Sequence, residues 1–201
     1  MQPVLTSSRL RKAGIGAFFR PRELDAVGIS FPMLQRLVSL GEVRKVAAGL
    51  YRLASAPVSE TETVAMVAAA VPGGIICLLS ALRYHDIGTQ SPHEIWLALD
   101  RKARKPSHPP AKMRIVRFSG PMLSYGVQAH DILGVPTRIT SPARTVVDCF
   151  RYRNKIGSDV AMEALRDSLR SRKATVDEIM RAAEVCRART VMRTYLEALQ
   201  P

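Results

Sequence analysis

Apolar residues between Phe31 and Leu40 recur at helical spacing. Phe31, Leu34, Leu37 and Val38 share one side, while Pro32, Arg36 and Ser39 share the other, flanked by Gln35 and Met33. Ser30 stands where an N-cap belongs, its hydroxyl able to accept an orphan backbone N–H, and Gly41 marks the stop. A proline-started helix precedes this one in Phe18-Phe19-Arg20-Pro21-Arg22-Glu23-Leu24, and Gly28 supplies the positive φ that a tight turn between helices needs. The pattern then becomes strand-like. Residues 43–46 and 50–53 read as a hairpin joined by Ala47-Ala48-Gly49. Helix, glycine turn, helix and basic hairpin, in that order, predict a winged helix-turn-helix over residues 17–53, with Tyr51 in its core. A weakly amphipathic helix within residues 1–13, containing Val4, Leu5 and Leu10 and ended by Gly14 and Gly16, would be its first helix.

Ala54-Ser55-Ala56-Pro57 reads as a short linker, which divides the chain into a domain at 1–56 and a second at 57–201. Ser59-Glu60-Thr61-Glu62 matches a capping box for a helix carrying Val64, Val67, Ala68 and Val71, and Pro72-Gly73-Gly74 breaks that helix. Ile75-Ile76-Cys77 fits either a short buried strand or the entry to the next helix. Apolar or alternating runs at 94–99, 113–118, 127–133 and 135–139, the last two around Gly134, predict a small sheet of about four strands, largely antiparallel. The last third is helical. Ser141-Pro142 starts one helix, Ser158 caps the next, Thr175-Val176-Asp177-Glu178 is another capping box, and Val191, Met192, Tyr195, Leu196 and Leu199 close the chain. The fold class is therefore α+β, an N-terminal winged helix-turn-helix followed by an α+β domain with a C-terminal helical bundle.

Charge sharpens this picture. The chain carries a formal net charge of +13, which makes a polyanion the leading partner. Residues 1–56 hold nine Lys/Arg against three Asp/Glu, and residues 57–201 hold 21 against 14, so charge density is more than twofold higher in the first part. A second basic stretch contains Arg101, Lys102, Arg104, Lys105, Lys112, Arg114 and Arg117 without an intervening acid, broken by Pro106, Pro109 and Pro110. It fits a solvated loop or a second phosphate-contacting surface. Cys77, Cys149 and Cys186 are odd in number and far apart, with no zinc-ligand spacing; three reduced cysteines in a cytoplasmic protein are expected, with no metal and no cofactor. No signal-like segment and no run of ~20 apolar residues predicts membrane insertion.

On a winged helix the second helix of the motif faces the major groove, so Arg36 is the candidate reader of guanine and Gln35 of adenine. Pro32 and Met33 share that side, Ser30 and Ser39 are candidates for phosphate, and Arg44, Lys45 and Arg52 for positioning along the backbone. Two half-sites read by a dimer or by cooperating copies would lengthen the recognised site. Catalysis finds less support. Ser80, His85 and Asp86 lie on one predicted helix and His130-Asp131 near a strand end, without a nucleophile elbow or an orienting third group. Glu94, Asp100 and Lys102 are the nearest approach to a metal-dependent nuclease. Ser141 reads as a cap, and Arg144 as a structural partner of Asp148 at i+4.

The run Phe19-Arg20-Pro21-Arg22-Glu23-Leu24, the Gly28-Ile29-Ser30 turn, Leu37-Val38, Gly41 and above all Arg44-Lys45-Val46-Ala47-Ala48-Gly49-Leu50-Tyr51-Arg52-Leu53 resemble the AbiEi family of antitoxins. Leu79-Ser80-Ala81-Leu82, His85 through Gly88, Gly134-Val135-Pro136 and Thr140-Ser141-Pro142-Ala143-Arg144-Thr145-Val146-Val147-Asp148 are similar to that family's second domain. The basic segment 101–117 matches no motif of the family. The resemblance implies a transcriptional repressor that binds inverted repeats of double-stranded DNA in its own promoter. It also implies an antitoxin that counteracts a co-encoded nucleotidyltransferase-like toxin through the C-terminal domain. Two other readings stay open: a plain regulator whose second domain senses a ligand or dimerises, and a nuclease targeted by the winged helix.

Overall fold

A computed structural model describes residues 6–199, which form a mixed α+β structure of two compact units. The first unit contains the N-terminal residues to Pro72 together with Lys105–Lys112 and His130–Thr137. Its elements run α1 (Ser7–Lys12), β1 (Phe18–Phe19), α2 (Pro21–Asp25), α3 (Phe31–Ser39), β2 (Val43–Ala47), β3 (Leu50–Leu53) and α4 (Glu62–Ala70). Val4 and Leu5 of the expected first helix lie outside the described residues; the helix that follows is capped by Thr6, whose side chain accepts from Arg9 N.

The three strands form one sheet in the order β1-β3-β2, all antiparallel, so the hairpin is extended by the pair Phe18–Phe19 on its inner edge. Leu10, Phe18, Phe19, Leu24, Leu34, Leu37, Val43, Leu50 and Leu53 are buried, and Tyr51 joins them, its ring stacked 6.0 Å from Phe19. The tip of a later hairpin adds to this unit: Ala17 N donates to Leu133 O at 2.7 Å. Gly16 is required there, because a Cβ would stand 2.4 Å from Gly134 O, inside any tolerable contact.

The linker at 54–57 does not separate the units. Arg52 on β3 binds Glu62 on α4, and Arg20 Nη2 donates to Ala70 O at 2.9 Å, so α4 belongs with the first unit and the division falls at Pro72/Gly73. The capping box expected at Ser59 is also displaced. The helix begins at Glu62 with Thr61 as N-cap, and Ser59 Oγ instead accepts from Thr61 N at 3.2 Å.

The second unit holds β4 (Ile75–Ile76), α5 (Leu78–Tyr84), β5 (Ile95–Asp100), β6 (Met113–Phe118), the halves of β7 (Val127–Ile132) and β8 (Val135–Thr140) that lie outside the hairpin tip, and the helices α6 (Pro142–Arg151), α7 (Arg153–Ile156), α8 (Ser158–Arg170), α9 (Val176–Val185) and α10 (Arg189–Glu197). The sheet order is β6-β5-β4-β8-β7, and the expected four-stranded, largely antiparallel sheet is corrected on both counts. Five strands are present. β4 runs antiparallel to β5 but parallel to β8, and β5 runs parallel to β6. The parallel β5–β6 pair is possible because residues 101–112 give a connection long enough to return the chain to the same end.

Ser141 caps α6 as its sequence predicts, its side chain accepting from Arg144 N, and Thr175 with Glu178 closes a capping box on α9. Gly157, not Ser158, is the N-cap of α8. Every residue of α6 from Ala143 to Phe150 is buried, and α5, α8, α9 and α10 pack around it. No helix among the described residues is long and apolar enough to cross a membrane.

Candidate nucleic-acid interface

The turn that presents α3 is built locally. Arg20 N donates to Glu23 Oε1 at 2.8 Å to start α2, and Gly28, at φ +70°, lets Ile29 N return to Leu24 O at 3.0 Å. Ile29 is thereby buried and the chain turns directly into α3. Leu34 and Leu37 anchor that helix inward and β2 packs against it, while Pro32, Gln35, Arg36 and Ser39 face solvent. Two expectations change in detail. Ser30 is the N-cap residue but its side chain makes no cap hydrogen bond, and Ser39 Oγ donates to Arg36 O of its own helix at 2.8 Å.

Phe31 is corrected more strongly. Periodicity places it with the core side, yet it is 59% exposed, and Met33 and Leu40 are exposed at 42% and 58%. Phe31 is the first residue of α3, so no preceding helical turn lies beneath it.

The hairpin divides its cations. Arg44 and Lys45 are exposed on β2, an edge strand, and Gly49 at φ +65° completes the Ala48-Gly49 turn. Arg52 on the central strand is the opposite case. It is buried at 9% exposure; Nε donates to Glu62 Oε1 at 2.9 Å, Nη1 to Leu53 O at 3.0 Å and Nη2 to Ala56 O at 3.2 Å. Its guanidinium also lies 5.9 Å from the Phe18 ring centroid. Arg52 is therefore removed from the expected phosphate contacts: its donors tie β3 to the segment leading into α4.

The basic segment also divides. Arg101, Lys102, Arg104, Lys105 and Lys112 are exposed. Arg114 is exposed but ion-paired, and Arg117 is half-buried with its guanidinium engaged. Arg114 Nε donates to Glu94 Oε1 at 2.5 Å and its guanidinium lies over Trp96, while Arg117 Nη1 donates to Asp100 O and Ala103 O at 2.8 and 2.7 Å. Lys105–Lys112 group with the unit that carries α3, whereas Arg101, Lys102 and Arg104 belong to the second unit.

The residues weighed for catalysis are dispersed among structural tasks. Ser80 Oγ accepts from Trp96 N at 2.9 Å, and His85 Nε2 lies 2.7 Å from Thr140 O. Asp131 Oδ1 accepts from Gly134 N at 2.9 Å in the hairpin turn. Glu94 precedes β5 and Asp100 ends it, and each carboxylate is taken up separately, Glu94 Oε1 accepting from Arg114 Nε and Asp100 Oδ1 from Lys102 N at 2.7 Å. Among the described residues no group of three His, Cys, Asp or Glu side chains comes together to hold a metal ion.

The second unit's most unusual polar feature is buried in its core. Arg144 and Asp148 are fully inaccessible; Arg144 Nε donates to Asp148 Oδ2 at 3.0 Å, Nη1 to Tyr125 O at 2.6 Å and Nη2 to Met122 O at 3.2 Å. Phe118 lies against the guanidinium at 4.8 Å. This is the structural role expected from the i, i+4 spacing, and it fastens the 122–125 loop to α6. Burial pushes the Asp148 carboxyl up to about 6 against the pull of Arg144. Its Oδ1 has no hydrogen-bond partner among the described residues. Cys77, Cys149 and Cys186 are buried free thiols, each raised by burial.

No protein-family model and no curated protein matches the chain. Among solved structures, the fold is similar to that of the Rv2827c protein from Mycobacterium tuberculosis, known from a crystal structure. The TM-score is 0.58 at 11% sequence identity, over 94% of this chain and 75% of that one. A likeness at this identity concerns the fold.

Proposed function

We propose that this chain is a DNA-binding transcriptional repressor and that its first unit is a winged helix-turn-helix. The observation that carries the reading is the outward side of α3. Pro32, Gln35, Arg36 and Ser39 are exposed there, on a helix anchored by Leu34 and Leu37 and packed against the edge strand that exposes Arg44 and Lys45. In such a motif α3 enters the major groove. Arg36 then donates both guanidinium arms to O6 and N7 of a guanine, Gln35 reads adenine, and Arg44 and Lys45 neutralise phosphates. Lys105 and Lys112, in the same compact unit, add backbone contacts without reading sequence. Two copies on the halves of an inverted repeat in the promoter would lengthen the site and exclude polymerase.

The resemblance to the AbiEi family extends this reading to an antitoxin that counteracts a co-encoded nucleotidyltransferase-like toxin in the cytoplasm. Two experiments test the reading in turn. Fluorescence anisotropy with duplex from upstream of the gene is expected to give tighter binding than a scrambled duplex; equal affinities for both would remove the repressor. Co-expression with an adjacent nucleotidyltransferase-like gene is expected to restore growth, and unrelieved toxicity would remove the antitoxin while leaving the repressor intact.

A further inference from the structure

Six large hydrophobic side chains among the described residues are exposed, and Phe31, Met33 and Leu40 all lie within or next to α3. The core does not call for them, since Leu34 and Leu37 already fill the inner side of that helix. Scattered apolar residues on a surface need no explanation, and Phe31, turned about 140° from Arg36, is one of these, but Met33 and Leu40 both lie within about 60° of Arg36 on α3 and its C-cap and make one patch with it. Their neighbours narrow the partner. Arg36, Arg44 and Lys45 are exposed around them, and residues 1–56 carry nine Lys/Arg against three Asp/Glu. Such a surface repels a second copy of itself and attracts a polyanion. The polyanion must also offer apolar groups, and in the major groove of DNA the exposed apolar group is the C5 methyl of thymine.

Resting on the DNA-binding reading, we infer that Met33 and Leu40 read thymine methyl groups beside the guanine gripped by Arg36. Helix geometry sets the spacing. Met33 precedes Arg36 by three residues and Leu40 follows it by four, which at 3.6 residues per turn keeps both within about 60° of Arg36 and at ~1.5 Å per residue places them roughly 5 and 6 Å from it along α3. With base steps of about 3.4 Å, the thymines fall within about two steps of the guanine, one on either side. Recognition by methyl contact needs no hydrogen bond from either side chain. It adds a preference for thymine over cytosine at positions where Gln35 and Arg36 do not reach.

The test uses the full-length chain and the duplex it enriches most strongly from a randomised pool. Each thymine is replaced singly by deoxyuridine, which deletes the methyl and preserves the base-pairing edge. Burial of one such carbon is expected to change affinity about fourfold. We expect that loss at one or two thymines within two steps of the Arg36-dependent guanine, and we expect Met33→Ala or Leu40→Ala to bind thymine and uracil duplexes equally there. Both side chains are exposed, so circular dichroism should show the variants folded as the parent. Silence at every thymine overturns the inference, as does a uracil effect that survives both substitutions. So does a change of oligomeric state in Met33→Ala with DNA binding unaltered, which would give this face to a second copy. If the parent shows no sequence preference at all, the DNA-reading proposal falls as well. If guanine preference depends on Arg36 while uracil is silent, only the thymine inference falls.

Discussion

Replacing Arg52 separates structural cations on the hairpin from those proposed to contact DNA. The guanidinium makes three charge-assisted hydrogen bonds, to Glu62 Oε1, Leu53 O and Ala56 O at 2.9, 3.0 and 3.2 Å. Bonds to charged groups contribute about 1.5–3 kcal/mol each, but these three share one group and do not add. Glu62, at 28% side-chain exposure, also regains water once its partner is gone. Arg52→Ala should therefore destabilise the first unit by about 2–3 kcal/mol, short of the ~3–5 kcal/mol for a fully buried pair. In urea this moves the unfolding midpoint by about 1 M or more. Glu62→Gln keeps an acceptor and should cost less. The second assay is the slope of log K against log salt for DNA binding, measured where the variants remain folded. Lys45→Ala should reduce its magnitude by about 0.9, and Arg52→Ala should leave it unchanged. An Arg52→Ala protein of parental stability with a slope reduced by about 0.9 would refute the assignment.

The remaining predictions concern the core and the loop. Arg144→Ala should destabilise the second unit by about 3–5 kcal/mol in chemical denaturation, since it leaves Asp148 and the Met122 and Tyr125 carbonyls without their donor. Asp148 makes stability pH-dependent in a defined direction. Burial raises its native value from 3.8 to about 6, so this contribution is complete below about pH 3.8 and is lost as pH rises through about 6. Subtracting the Asp148→Asn profile from the parent's should isolate that window, and an identical dependence in both proteins would refute it. Lys105→Gln combined with Lys112→Gln should lower the salt slope by about 1.8 and weaken all duplexes equally. Loss confined to one sequence would count against a backbone role.

The parts legible in the sequence are those set by local geometry. Gly28 is read correctly because few other residues accept φ +70° between two helices, and Leu34 and Leu37 because helical period alone assigns them inward. The Arg144–Asp148 pair follows from i, i+4 spacing. The misses are tertiary. Arg52 alternates like a solvent-facing strand residue, yet β3 is the central strand and α4 supplies Glu62, so all four of its residues are buried. Ile75–Ile76 is too short to announce a strand, but it joins the β5–β6 half of the sheet to β8 and so makes the pairing mixed. Arg114 and Arg117 count as basic surface in a charge tally, although Glu94 and the loop carbonyls take up their donors. The Asp148 oxygen left without a partner has no sequence signature, because it depends on what α6 meets in the core.

The central claim is that α3 reads base edges, and a comparison of motifs enriched from a randomised duplex pool tests it most directly. The parent should enrich a motif containing a fixed guanine. Arg36→Ala should lose that guanine column while keeping the rest of the motif, and Lys45→Ala should keep the whole motif and bind every sequence more weakly. Identical motifs from the parent and Arg36→Ala would contradict the account.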